Sequence, residues 1–410
     1  MSTPGEALSG FFNGQDLRAV GVAVSGGSDS TALLIFATEW AAAAGVRLVA
    51  ATVDHGLRAE AAAEAEAVAQ TCAGLGVAHE ILAWRGWDGS GNVQAEARRA
   101  RYRLLAEWAR REGLDCVLLG HTMDDQAETV LMRLARRAGV DGLAAMAARF
   151  EREGQAFGRP LLGQRRGDLR EMLKARGVDW IEDPSNDDAR FDRVKTRRAL
   201  GELAEIGVDA EALATVSENM ADVRAALDWQ VAQVAKDAVQ IEAGDLRVDL
   251  AAFGTVPEEI RRRLLVAGIQ WVSGGDYAPR RAPVQRLLEE ISAGQGGTLA
   301  GCVLTVEGGR LRIAREPRAV MENESAGPLW DGRWHVEGPW QGGEVLRALG
   351  EAGLAEVEDW RAAGLPRQSL IASPSVWRAG TLVAAPLAGH GAGWRAKLCP
   401  ERSGFPPPRR

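Results

Sequence analysis

The sequence predicts an α/β fold: a parallel sheet with helices on both faces, followed by a helical region and a small mixed C-terminal domain. Three observations carry that reading. Over the first 120 residues, short valine- and leucine-rich runs alternate with alanine-rich stretches of helical length. A Ser/Gly hexapeptide, Ser25 to Ser30, stands between the first such run and the first helix. After the turn signal Asp183-Pro184-Ser185-Asn186 the chain changes to longer helical segments and then to short strands.

Taken in order, Ala19 to Val24 (AVGVAV) is the first strand, and residues 31–44 are apolar and alanine-rich, as a buried helix is. Leu48 to Val53 is the second strand. Arg58 to Leu75 is an Ala/Glu helix closed by Gly76, and Val77 to Leu82 is the third strand. Val93 to Arg111 is a long helix closed by Gly113, and Cys116 to Leu119 is the fourth strand. Such βαβ succession implies right-handed crossovers and ligand binding at the carboxyl ends of the strands. The polar clusters Ser25 to Ser30, Asp54 to Arg58 and Gly120 to Glu128 each follow a strand, so they converge on one crevice. Beyond the turn, residues 208–236, 257–273 and 282–293 are helical, and Leu299 to Ala314 alternates around a Gly308-Gly309 hairpin. From about residue 326 Gly, Pro and Trp dominate, with short strands expected at Leu370 to Ala372 and Leu382 to Ala385. The domain expectation is 1–200 for the sheet domain, 201–320 for a helical and small β region that holds RNA, and 321–410 for a small domain of unassigned role.

Composition excludes several classes. With 46% hydrophobic and 26% charged residues the 410-residue chain is neither disordered nor fibrous. Its most apolar stretch, residues 31–51, is broken by Glu39, Gly45 and Arg47, short of the about 20 apolar residues a membrane helix needs. Four scattered cysteines without a CxxC pair and no basic, apolar leader predict a cytoplasmic protein with reduced thiols. Net charge is −7, yet residues 98–198 carry 22 basic against 17 acidic side chains between two acidic flanks. That asymmetry suits a local polyanion site, and equally a solvated arginine-rich face.

Ser25-Gly26-Gly27-Ser28-Asp29-Ser30 opens a helix directly after a strand, where backbone amides and the helix N-terminus favour phosphate. The glycines admit close approach, the three serine hydroxyls add donors, and Asp29 requires Mg²⁺ between itself and a phosphate. The lysine of a Walker A loop is missing, and so is GxGxxG spacing.

The hexapeptide resembles the pyrophosphate loop of the N-type ATP pyrophosphatases, the PP-loop superfamily. Later motifs narrow the resemblance. Val53-Asp54-His55-Gly56-Leu57-Arg58, Ala97-Arg98-Arg99-Ala100-Arg101-Tyr102, the run from Gly120-His121-Thr122 through Asp124-Asp125-Gln126-Ala127-Glu128-Thr129, and Glu182-Asp183-Pro184-Ser185-Asn186 resemble the tRNA(Ile)-lysidine synthase family in order and spacing. The likeness is specific over about the first 200 residues. Thr122 replaces a second histidine common in that family, and Val194 stands for the usual Asn in the basic stretch Arg193 to Arg197.

The resemblance implies an ATP-dependent ligase with Mg²⁺ as cofactor and isoleucine tRNA bearing a CAU anticodon and L-lysine as substrates. The C2 oxygen of cytidine 34 attacks the α-phosphate of ATP, pyrophosphate leaves, and the amine of lysine displaces AMP. It implies nucleotide contacts from Ser25, Gly26, Gly27, Ser28, Asp29, Ser30, Val53 and His55, with Asp29 on the metal. Arg98 or Arg136 would stabilise the pentacoordinate phosphorus, and Asp124 or His121 would take the amine's proton. Asp124, Asp125 and Glu128 sit three and four apart on one helix face, suited to the lysine ammonium. Complementing the helix dipole is the plainer use of Asp124 and Asp125, and His55 reads equally as a hydrogen-bonded turn residue. Two rivals stay open at this point: a tRNA thiolase, disfavoured by unpaired cysteines, and a noncatalytic nucleotide-binding module.

Overall fold

The computed structural model describes residues 3–56, 61–85, 93–182, 192–275 and 277–406. The chain divides into two compact units between Arg224 and Ala225.

In the first unit, helix α1 (Pro4–Phe11) precedes strand β1 (Ala19–Ala23), helix α2 (Ser28–Ala44) and strand β2 (Arg47–Asp54). There follow α3 (Ala61–Gly74), β3 (Ala78–Ala83), α4 (Val93–Glu112), β4 (Cys116–Leu119) and α5 (Met123–Ala135). The short α6 (Val140–Leu143) leads to strands β5 (Arg149–Arg152) and β6 (Gln155–Gly158), then to α7 (Arg166–Ala175), α8 (Asp192–Ala204) and α9 (Ala210–Ala238), within which the division falls. The strands form one sheet in the order β3-β2-β1-β4-β6-β5, parallel except for the edge strand β5.

The period-two alternation of the central strands explains why both sheet faces are covered. Val20, Val22 and Val24 pack with α1, α2, α3 and α7 through Leu8, Leu33, Val68 and Leu169. Ala19, Ala23, Val117 and Leu119 meet Tyr102, Leu105 and Trp108 of α4 on the other face. Gly21 belongs to that second layer, where a Cβ would come within 2.7 Å of Leu114 and Trp108. The predicted α/β class is therefore the observed one. The chain runs β1-β2-β3 outward to one side and returns to place β4 on the other side of β1, a topological switch point whose crevice lies at the carboxyl ends of β1 and β4.

In the second unit, strands β7 (Val239–Glu242) and β8 (Asp245–Asp249), helices α10 (Leu250–Thr255), α11 (Glu258–Ser273) and α12 (Arg281–Ser292), and strands β9 (Gly297–Leu299), β10 (Cys302–Glu307) and β11 (Arg310–Arg315) share one core. The expected hairpin at Gly308-Gly309 joins β10 to β11. Farther on, two three-stranded sheets pack around Trp330, Trp334 and Trp377. One expectation is corrected here. Leu370 lies in a short helix, Arg367–Ile371, that starts after Pro366, and the strand follows at Pro374–Arg378. An apolar triplet has no period of its own, and burial of Leu370 and Ile371 against Leu349 and Leu354 selects the helix. No helix among the described residues is long and apolar enough to cross a membrane.

Candidate active site

Strands β1 and β4 pair in register from Val20 with Cys116 to Ala23 with Leu119, so the segments leaving them run side by side. The contact is tight. A Cβ on Gly120 would lie 2.9 Å from backbone atoms of Asp29 and Ser30. Gly26 adopts φ +84°, and a Cβ there would come within 2.5 Å of Ile181, whose amide donates to the Gly26 carbonyl at 2.9 Å.

The hexapeptide is a wound loop. The Ser25 amide donates to Ser30 Oγ at 3.1 Å, Ser30 Oγ donates to the Gly27 carbonyl at 3.0 Å, and Thr31 Oγ1 donates to the Gly26 carbonyl at 3.2 Å. Gly27 is the N-cap of α2 and has no side chain to satisfy the helix's first amides. Those amides, with the positive end of the helix dipole, are left for an anion.

Facing the loop, α5 and α7 assemble an acid cluster around one arginine. Arg166 reaches three carboxylates at once: Nε to Asp29 Oδ2 at 2.8 Å, Nη2 to Asp125 Oδ1 at 3.2 Å, and Nη1 to Glu128 Oε1 at 3.4 Å. Glu128, 1% exposed in its side chain, also receives Arg197 Nε at 2.6 Å and has Arg193 Nε 3.9 Å from Oε2. Oε2 is buried with no hydrogen-bond donor among the described residues. Asp124 turns elsewhere: its Oδ2 accepts the Arg166 amide at 2.7 Å and so caps α7. Thr122 heads α5, and both its amide and its hydroxyl donate to Asp125 Oδ2, at 2.9 and 3.1 Å. The threonine found in place of a second histidine thus buttresses Asp125.

Burial raises the Asp29 carboxyl above its ordinary value despite the pull of Arg166. For Asp125 burial is outweighed by Arg166 and the Thr122 amide, which hold it low. Burial also works against the charge of Arg166, and its carboxylates overcome that and keep it firmly protonated.

A second, basic cluster adjoins the first. Burial and the neighbouring Arg98 and Arg193 depress Arg101, and burial with Arg98 and Arg101 depresses Arg159. Buried Tyr102 is nonetheless lowered, because Arg98, Arg159 and Arg101 outweigh its desolvation. The Arg98 guanidinium lies 5.4 Å from the Tyr102 ring centre. These guanidinia repel one another, a strain that an anion relieves. His121 stands within the fields of both clusters. Burial pushes it down to about 3, with Arg159, Arg101 and Arg193 acting against the pull of Asp125, and its Nδ1 has no hydrogen-bond partner among the described residues.

The fold therefore brings together Ser25 to Ser30, His121, Asp125 and Glu128, while Asp124 Oδ2 caps α7 beside them. Arg136 stays apart. It lies exposed past the far end of α5, 3.8 Å from Asp192, eight residues beyond Glu128 and so about 12 Å along the helix axis. Val53 and His55 lie at the end of β2 beside β1; His55 has a buried Nδ1 without a hydrogen-bond partner among the described residues and an edge contact to Trp84 at 6.0 Å between ring centres. Burial and Arg101 lower His55. The Asp183-Pro184-Ser185-Asn186 turn and Arg58 lie outside the described residues. Sequence alone does not single out Arg159 and Arg166. Arg159 had a positional signal, since it immediately follows β6, which runs parallel to β4 and ends at the same crevice.

Three histidines, His55, His79 and His121, are held below their ordinary value, chiefly by burial. A base depressed in the folded state binds fewer protons than in the unfolded chain, so its contribution is complete above about pH 6.5 and is lost as pH falls toward the folded value. Thermal stability is expected to fall as pH is lowered from about 7 to about 4.5, with a shallower slope for His121→Gln. Melting curves across that range check it, and an unchanged slope would count against the buried neutral imidazole.

Residues 3–204 match the PP-loop domain family, ATP_bind_3. The chain is 51% identical over 392 residues to the tRNA(Ile)-lysidine synthase of Ruegeria pomeroyi, an alignment covering 95% of this chain and 94% of that protein. It is similar to the tRNA(Ile)-lysidine synthase of Bradyrhizobium diazoefficiens at 38% identity, covering 78% and 96% of the two chains. With that of Rhodopseudomonas palustris the identity is 40%, over 76% of this chain and 94% of the relative.

Proposed function

The chain belongs to the tRNA(Ile)-lysidine synthase family, and from that premise we propose how its own residues carry the family's reaction, the ATP-dependent formation of lysidine on tRNA(Ile). The observation that carries the reading is the pairing of two opposite charge clusters at one strand switch point: carboxylates for an ammonium on one side, crowded guanidinia for phosphate on the other.

The amides and hydroxyls of Ser25 to Ser30 hold the outer phosphates of ATP. The C2 oxygen of cytidine 34 attacks the α-phosphorus, and the bond to the bridging oxygen breaks with its electron pair leaving on pyrophosphate. Arg98, Arg101 and Arg159 face the charge that develops. Val53 and His55 line the adenosine side. Lysine's amine then attacks C2, AMP departs with the C2 oxygen, and the amine's proton passes to His121. That imidazole is a weak base amid Arg159, Arg101 and Arg193, and an arriving polyphosphate cancels part of their field and strengthens it. Asp125 and Glu128 hold an ammonium of lysine, and Asp124 fixes the helix that carries Arg166.

Mg²⁺ fits this donor set. Among the described residues no group of three or more His, Cys, Asp or Glu side chains is arranged to hold a metal alone. Asp29 is a half-buried carboxylate that burial raises even with Arg166 beside it, so a further cation suits it, and as a single protein ligand it would share the ion with phosphate oxygens. When bound, the ion neutralises charge on the departing pyrophosphate.

Sulfur transfer finds no support. All four cysteines are buried, and burial pushes Cys72 up to about 11 and Cys116 and Cys302 up to about 12, so their thiolates are suppressed.

The test is incubation with ATP, Mg²⁺, labelled L-lysine and isoleucine tRNA carrying the CAU anticodon. Label is expected in the RNA with release of AMP. It should vanish when cytidine 34 is changed to uridine, which lacks the 4-amino group that pushes electrons toward C2. Label that never enters RNA, or release of ADP instead of AMP, would overturn the assignment. The arginine-rich stretch 98–198 and residues 201–320 are assigned contacts with tRNA phosphates. Affinity should then fall with salt, at a slope of about −0.7 per phosphate contact for single-stranded regions. Filter binding between roughly 50 and 200 mM salt measures it, and a flat response would remove the electrostatic footprint.

A further inference from the structure

We propose that Arg166 is an internal stand-in for the lysine substrate, a guanidinium that occupies the acid cluster until the polyphosphate of ATP draws it away, so that lysine binds tightly only after nucleotide. The proposal rests on the reading of Asp125 and Glu128 as the ammonium site.

The geometry is specific. Each of the three guanidinium nitrogens of Arg166 faces a different carboxylate, Asp29, Asp125 and Glu128, at 2.8, 3.2 and 3.4 Å. Its side chain is 17% exposed, so an ammonium entering the cluster meets a like charge already seated. The backbone of the same residue is anchored independently, because Asp124 accepts its amide at 2.7 Å. The side chain can exchange partners while the helix stays put. The phosphate loop is within reach of this helix face: Arg170, one turn on, donates Nε to Ser28 Oγ at 3.2 Å, and Asp29 itself belongs to the loop. Glu128 Oε2, almost wholly buried and without a hydrogen-bond donor among the described residues, is an acceptor that Arg166 leaves unused and that a further N–H would fill.

Charge decides the exchange. Arg166 has the carboxylates of Asp29, Asp125 and Glu128 as its partners. A polyphosphate on the loop offers higher charge density and a fork that matches a guanidinium in two places. Once Arg166 turns to it, Asp125 and one face of Glu128 are left without their cation. Coupling of this kind is reciprocal, so lysine raises the affinity for nucleotide by the same factor.

Calorimetric titration of L-lysine into the full chain, with Mg²⁺ and with or without the non-cleavable analogue α,β-methylene ATP, tests this without any turnover. In the wild type the analogue is expected to tighten lysine binding about tenfold or more. In Arg166→Gln lysine should bind more tightly than wild type without nucleotide, and the analogue should change it less than about twofold. Arg166→Lys, which keeps a charge but cannot reach three carboxylates, serves if the glutamine variant does not fold. Its coupling should lie below a third of the wild-type factor. Equal lysine affinity with and without analogue in the wild type, or full coupling in either variant, overturns the proposal alone. Absence of lysine binding in every condition overturns the ammonium site and the proposal together.

Discussion

Asp29→Asn is expected to abolish nearly all ATP cleavage while leaving the protein as stable as before. The two readouts separate because of the sign of the shift on this carboxyl. Burial raises it against the pull of Arg166, so the folded state favours the neutral acid and bears a cost for the charge at neutral pH. An amide of the same shape removes that cost. The guanidinium it abandons keeps Asp125 and Glu128. Function loses a charge that stands at the head of α2 beside Arg166, at the proposed phosphate and metal site, and such preorganised electrostatic contacts are worth about 10²- to 10³-fold in rate. Pyrophosphate release and thermal melting on the same preparation give the answer. Release near the wild-type rate would remove Asp29 from the metal and phosphate machinery. A large drop in melting temperature would mean that the Arg166 pair is structural first.

Most of the sheet domain can be read directly in the chain, for a physical reason. Its central strands are short runs of Val, Ala and Leu buried on both faces, and its helices end at glycines such as Gly45, which caps α2 in the left-handed conformation. The loop is legible because a strand-to-helix joint with two glycines and three serines suits few other purposes. The stretch from β5 to α7 is harder. Arg149–Arg152 is a charged edge strand without an apolar run, and α7 keeps only Leu169 and Leu173 fully buried. Arg166 is invisible for a deeper reason. Its partners Asp29, Asp125 and Glu128 are supplied by loops and helices far away in sequence, so its role exists only once β1, β4 and α7 are in place. Arg136 shows the converse. A residue that matches a family pattern sits beyond the far end of its helix, against Asp192. Thr122, a departure from that pattern, is spent on holding Asp125.

Glu128→Gln is expected to damage both stability and lysine use, because this carboxylate is the joint among α5, α7 and α8. Its side chain is 1% exposed and faces Arg197 at 2.6 Å, Arg166 at 3.4 Å and Arg193 at 3.9 Å. Glutamine keeps the shape and one acceptor but leaves the arginines without their shared countercharge. Removing one partner of a buried ion pair costs about 3–5 kcal/mol, and the retained amide places this variant near the lower figure. A loss of that size lowers the melting temperature by on the order of 10 °C. The lysine KM should rise more than the ATP KM, since Asp125 alone then meets the ammonium. A double-mutant cycle with Arg197→Gln separates charge from packing. If the ion pair is the cause, the double variant should lose less than the sum of the singles, with a coupling of about 1–3 kcal/mol. Strict additivity would mean that Glu128 acts through packing alone, and an unchanged lysine KM would remove it from the ammonium site.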